Sequence, residues 1–392
     1  MLSVLLPALE ARGEHVSIIC GTSVGGINAA LLGSVAALPA DEQATAIVER
    51  WRSMRKQDVI APLVGPRTPA LLVSAIGELL ELPGLRLPGL MDARPLRHSL
   101  DRWIDWLSLH RNVHSRHLHA VCVVATSLDR SGPVAFVESR DPVPSASSVR
   151  YVPVRLATEH VRASAAIPVL FPPVEVRTPK LAAGFYIDGG TRMNAPLAPA
   201  LALGADRVIV IGFEPLERVP ATPSPGRPHF ADVAANVIDG LLVDQVAADV
   251  RRMLAINSFF TDARDSYVYR AARGRKPYRR VAHALISPDE PGAVGAIADA
   301  VLRERYGGLK ALRSPDFLLL SRMLGGSRAR ARGELLSFLL FDEEFVERLI
   351  AEGQAAATRW LAGNPGFWRT SGEMPEQAAE HHALTEFRAL RR

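Results

Sequence analysis

One serine, flanked by glycines, sits where an apolar strand-like run gives way to a helical one, and this junction constrains the chain more than any other feature. Gly21-Thr22-Ser23-Val24-Gly25, with Gly26 next, follows the apolar run Val16–Cys20, and a helical stretch through Asn28 to Leu32 leaves it. A G-x-S-x-G segment at a strand–turn–helix bend holds the serine hydroxyl clear of the backbone. Gly21 and Gly25 are expected to remove the Cβ atoms that would clash at such a bend. The helix N-terminus puts positive partial charge where an oxyanion forms, with the Val24 N–H as one donor. The pentapeptide by itself also fits a tight turn with an incidental serine, or a turn that cradles phosphate. The segment has neither a Walker lysine nor a G-x-G-x-x-G spacing.

Short strand-like runs alternate with longer helical ones, which predicts an α/β fold with a central, mostly parallel sheet covered by helices. Strands are expected at His119–Thr126, at Val134–Glu138 as its hairpin partner, at Phe185–Ile187, at Arg207–Phe213 and at Val281–Ile286, the last returning to the same sheet. Helices are expected at Ala44–Arg52, Asp101–Leu107, Thr158–Ala166 and Asp232–Phe259, and again from Ala293 onward, including Glu334–Phe341 and Phe345–Leu361. Residues 59–91 are apolar but broken by Pro and Gly, as in a lid over a site or a segment packed on the sheet. Five prolines between Pro215 and Pro228 mark a surface crossing. The expected division is a hydrolase domain over residues 1–290 and a helical extension over 291–392.

Asp188-Gly189-Gly190 ends the Phe185–Ile187 run. Alone it is an ordinary turn signature. Beside Ser23 it acquires a second meaning, because a serine hydroxyl needs a base within hydrogen-bond reach. A carboxylate at a strand end on the same sheet edge supplies one. A Ser-His-Asp order would need a histidine after the acid. His229, His283, His381 and His382 follow Asp188 without a strand-end loop signature, and His160 falls in a helix.

Several segments together resemble the bacterial patatin-like phospholipases. They are the run from Gly21 through Ala30, Ala163-Ser164-Ala165-Ala166-Ile167-Pro168 with Phe171-Pro172-Pro173, Tyr186-Ile187-Asp188-Gly189-Gly190, and Asn194-Ala195-Pro196-Leu197 running into Leu203-Gly204-Ala205-Asp206. The resemblance covers about residues 1–290 and keeps the family's order. It implies a three-layer α/β sandwich and a Ser23–Asp188 dyad without histidine, acting through an acyl-enzyme, with Ala163–Pro173 beside the acyl chain. It also implies a Gly-rich oxyanion loop ahead of the first helix. Here the amphipathic helix with Leu2, Leu5, Leu6 and Leu9 begins at Met1, so that loop is missing from the sequence as it stands. A truncated start, or a catalytically silent module that binds lipid or protein, would both read this way. A thioesterase or general carboxylesterase shares the same dyad.

With 48% hydrophobic residues the chain has material for a packed core, and no run reaches the length of a membrane span. Cys20 and Cys122 both fall in strand-like runs, which suits buried thiols in a reducing compartment. The expected location is therefore the cytoplasm, with peripheral membrane contact. The net charge is +5, and only four of the 46 basic residues are lysine. Clusters at Arg273–Arg280 and Arg328–Arg332 suit phospholipid headgroups or plain solvated faces, and aromatics are not interleaved in a nucleic-acid pattern. No cofactor, metal or nucleic acid is expected; the expected partner is a lipid or another acyl ester.

Overall fold

The computed structural model describes residues 1–61, 91–130, 132–144, 149–168, 170–193, 195–215, 249–251, 253–254, 281–306, 333 and 336–369. The apolar segment over 62–90, most of the proline-rich crossing and of the 232–259 helix, the basic clusters at 273–280 and 328–332, and His229, His381 and His382 lie outside the described residues.

The centre of the molecule is β2 (Ala120–Ser127), an Ala-Val-Cys-Val-Val-Ala-Thr-Ser run buried along its whole length. β-Branched residues suit a strand covered on both faces. Its odd-numbered residues, Val121, Val123 and Ala125, enter the main core; Ala120, Cys122 and Val124 enter a smaller cluster with Ala135, Val137 and Tyr151 on the other face. Each fully buried valine contributes about 1.5–3 kcal/mol of apolar burial. β3 (Gly132–Ser139) runs antiparallel along the length of β2, and β4 (Arg150–Pro153) adds a parallel strand outside it.

The opposite edge of β2 is shared by two strands. β1 (Ile18–Thr22) runs parallel to residues 120–124 and stops with Thr22 opposite Val124. β6 (Gly184–Asp188) runs antiparallel to residues 125–127 and stops with Asp188 opposite Ala125. The two strands therefore meet end to end, both at their C-terminal ends. β5 (Val174–Val176) pairs outside β6 and completes a six-stranded sheet.

α1 (Leu2–Glu10) and α3 (Ala40–Ser53) pack together, and α2 (Val24–Val35) packs on β1 and β2. A single turn, α4 (Lys56–Val59), leads to residue 61. One helix expected over Asp101–Leu107 is instead two, α5 (Arg94–Trp103) and α6 (Trp106–His114). The break falls at Asp105, whose carboxylate accepts the Ser108 N–H at 3.0 Å and caps the second helix. α7 (Thr158–Ser164) lies against β2, β5 and β6, and α8 (Leu197–Ala202) follows the Asp-Gly-Gly turn.

β7 (Arg207–Ile211) and β8 (Ala282–Ile286) pair in parallel, but in a separate two-stranded sheet, so β8 does not return to the main one. A parallel pair needs a crossover of a dozen or more residues, which the chain between them supplies. The C-terminal helices α9 (Ala293–Tyr306) and α10 (Glu343–Gly363) join the cores already formed. Val301, Leu302 and Phe345 enter the main core, while Ala357 and Phe367 close over Leu5, Leu9 and Ile286. No described helix is long and apolar enough to cross a membrane.

Candidate active site

Ser23 is the residue between β1 and α2, half-buried, with φ 55° and ψ −126°. A non-glycine residue in this region stores about 1–3 kcal/mol and persists only where its surroundings fix it. Three contacts fix it. The Ser23 N–H donates to Ser164 Oγ at 2.9 Å, and the Ser164 hydroxyl donates in turn to the Val124 carbonyl at 2.6 Å. Thr22, the last residue of β1, donates its hydroxyl to the Met193 carbonyl at 3.1 Å. Ser164 is wholly buried at the end of α7, so it braces the bend from the core side.

The glycines divide the work unequally. A Cβ on Gly21 would lie 2.0 Å from the Gly25 carbonyl oxygen, so only glycine lets the strand and the helix start approach so closely. A Cβ on Gly25 would meet nothing within 4 Å, so the expectation that both flanking glycines relieve a clash is corrected: the crowded Cβ site is on Gly21, and Gly25 contributes its backbone. Across the junction, a Cβ on Gly189 would lie 2.2 Å from the Val124 carbonyl oxygen, which keeps the turn after Asp188 tight against β2.

Asp188 is fully buried. Its N–H donates to the Ala166 carbonyl at 2.8 Å, and its Oδ1 accepts the Gly190 N–H at 2.7 Å. Oδ2 is buried with no formed hydrogen bond among the described residues. Burial raises the carboxyl pKa to about 7, against opposing effects from Ser23 and from the Gly190 N–H. The Ser23 hydroxyl acts on this carboxyl as a hydrogen-bond donor would, lowering the pKa that burial raises. In apo sites such bonds are commonly long and tighten only with substrate.

Strand pairing explains how residues 165 positions apart in the chain come together. Asp188 is paired with Ala125 and shares its core-facing side; Ser23 follows Thr22, the partner of Val124, and falls in the same row. Val24, the first residue of α2, is 40% exposed beside the bend, and its N–H belongs to the helix turn that has no intrahelical acceptor. The Ala163–Pro173 segment does adjoin the pair, through Ser164 and the Ala166 carbonyl, and its Ala163, Ala166, Ile167 and Phe171 are buried. Two cavities of about 380 and 360 Å³, one beside Asp58, Asp92 and His98, the other beside Arg97 and Arg162, include neither Ser23 nor Asp188 in their walls.

Two of the histidines weighed above, His160 and His283, are among the described residues. His160 is buried in α7, accepting the Ala157 N–H at Nδ1 (3.1 Å), with its ring 4.7 Å from that of Phe136 and tilted 53° to it. His283 is buried in β8. Sequence reading passed over two buried polar groupings. One is Ser164, quoted there only as part of a motif; its small polar character inside an alanine-rich helix end was the available signal. The other is His110 with Glu138, whose Oε1 and Oε2 lie 2.8 and 2.9 Å from the His110 Nδ1. Among families of known proteins, the model described as patatin-like phospholipase matches residues 2–201. No curated protein matches the chain.

Proposed function

Because the chain belongs to the patatin-like phospholipase family, we propose that it is a lipid acyl hydrolase of the phospholipase A type, with Ser23 as nucleophile and Asp188 as its base. The observation that carries this reading is the end-to-end meeting of β1 and β6, which sets a strained serine beside a buried carboxyl with one oxygen unengaged. As the Ser23 Oγ attacks the ester carbonyl carbon, its proton passes to Asp188. The tetrahedral oxyanion is met by the Val24 N–H and the positive end of α2. Collapse expels the alcohol, which takes the proton from Asp188 and leaves an acyl-Ser23. Water then attacks that ester with Asp188 again as base, releasing the fatty acid and free serine.

A carboxyl with its pKa near 7 suits this task, since a base poised near the operating pH combines a useful ionised fraction with useful basicity. The test is intact-mass analysis after treatment with a fluorophosphonate, with Ser23→Ala as control. One adduct mapped to Ser23 and lost in the variant is the expected result. A folded sample that takes no adduct would overturn the reading.

A further inference from the structure

Three large apolar side chains lie exposed near the end of the sheet that carries the dyad: Leu181 (55% exposed), Phe185 (47%) and Leu128 (46%). Their neighbourhood is fixed by hydrogen bonds. The Leu128 N–H donates to the Phe185 carbonyl at 2.9 Å, so the two are cross-strand partners on one face of the β2–β6 ladder, beyond the Ser127–Tyr186 pair. The Leu181 carbonyl accepts from Arg150 Nη2 at 2.8 Å, with Arg130 Nη1 at 3.5 Å. Lys180, next to Leu181, is exposed. Arg130, Arg150 and Lys180 make no ion pair with a carboxylate among the described residues.

Isolated exposed leucines are ordinary, but a contiguous apolar group with cations around it marks a contact surface. The acidic neighbours offset only part of the charge, since Asp129 stands against three cations. Asp129 Oδ2 is held by the Phe185 N–H at 3.1 Å, and Glu175 is paired with Arg177 at 2.7 Å. The backbone beneath is also pinned: the buried Tyr186 hydroxyl donates to the Ala182 carbonyl at 2.7 Å, and a Cβ on Gly184 (φ +152°) would collide with Asp129. A patch already ordered loses little freedom on docking.

The geometry points to this patch as the surface by which the protein docks onto an anionic lipid interface, with Leu128, Leu181 and Phe185 entering the acyl boundary and Arg130, Arg150 and Lys180 meeting the headgroups. The purpose, though not the chemistry, of this docking rests on the lipid hydrolase reading. β6 joins the two places: Phe185 lies three residues, about 10 Å of strand, from Asp188.

The test is co-sedimentation of the full chain with phosphatidylcholine vesicles, with and without about one-quarter phosphatidylglycerol. Three proteins are compared: wild type, Leu181→Ser/Phe185→Ser, and Lys180→Glu, the last on an exposed side chain whose loss leaves the core alone. Wild type is expected to bind the anionic vesicles in a salt-sensitive way, and each variant about tenfold more weakly. Fluorophosphonate labelling of Ser23 should proceed at equal rates in all three. Wild-type protein that ignores the vesicles, or variants that bind as wild type does, would overturn the docking surface. Patch-dependent binding without any Ser23 adduct would sustain the surface and sink the hydrolase; an adduct without patch-dependent binding would do the reverse.

Discussion

Two buried carboxylates on one face of the same sheet have opposite surroundings. Glu138 on β3 is paired with Val121 and Asp188 on β6 with Ala125, so both face the main core. Around Glu138 every oxygen is engaged: His110 Nδ1 lies against both, and Oε2 also accepts the Leu156 N–H at 2.7 Å. Asp188 has the Gly190 N–H on one oxygen, while the other has no formed hydrogen bond among the described residues and faces the Ser23 hydroxyl's influence alone. A buried polar group left unsatisfied costs about 1–3 kcal/mol, and more if charged, so a fold retains one only where something else requires it. Glu138 fastens β3 to α6 and to the chain entering α7. Asp188 keeps an oxygen for a proton.

The largest effect should come from Asp188→Asn. Losing the base is expected to lower kcat by about 10²–10⁴, read with a soluble acyl ester. Stability should move the other way. The folded pKa of about 7 lies above the ordinary 3.8, so between these values the folded chain binds more protons than the unfolded one. The favourable contribution of the protonated carboxyl is thus present at acid pH and lost as pH rises through about 7, where ionisation costs on the order of 4 kcal/mol. The Asn variant should then melt no lower than wild type at pH 8, while wild-type kcat/KM climbs through pH 7 to a plateau. A variant that keeps its rate would erase the distinction between the two carboxylates.

Glu138→Ala should give the mirror image. It strips the acceptor from His110 Nδ1 and the Leu156 N–H, and removing one partner of a buried pair costs about 3–5 kcal/mol. In a chain of 392 residues that corresponds to a fall in Tm of roughly 4–6 °C. Each folded molecule should still label at Ser23 at the wild-type rate. A variant with normal Tm and slow labelling would mean that Glu138 serves the site after all.

Much of this was legible in the chain, and most of what was not shares a cause. The Ser23 bend, β2, its hairpin partner and the Asp188 turn each occupy a few consecutive residues whose periodicity or glycines speak for themselves. Sequence reading misses the helix break at Asp105 and expects one helix over Asp101–Leu107, although an aspartate ahead of a helical run is a local N-cap signal. Glu138 and Ser164 were not legible, because their partners stand 28 and 141 residues away and nothing local distinguishes a fastened polar side chain from a solvated one. Likewise, alternation identifies β1 and β6 as strands but does not say that they share one edge of β2, or that β8 leaves the main sheet for β7.

Ser164 stands between the two carboxylates in kind: fully satisfied like Glu138, yet touching the site like Asp188. Its hydroxyl joins the Ser23 N–H to the Val124 carbonyl, and so ties the strained bend to the central strand. Ser164→Ala leaves both backbone groups without that partner, at a cost of about 1–3 kcal/mol. If the loss is taken up by relaxation of Ser23 from φ 55°, the hydroxyl shifts relative to Asp188 and kcat should fall about tenfold, with KM nearly unchanged. The pH midpoint near 7 should then move up, because the Ser23 hydroxyl that lowers this pKa has withdrawn from the carboxyl. If Tm falls and kcat does not, Ser164 belongs with Glu138 as a fastener of the core. A fall in kcat with a raised pH midpoint makes it a positioning residue, and shows that this hydroxyl helps the bend hold its geometry.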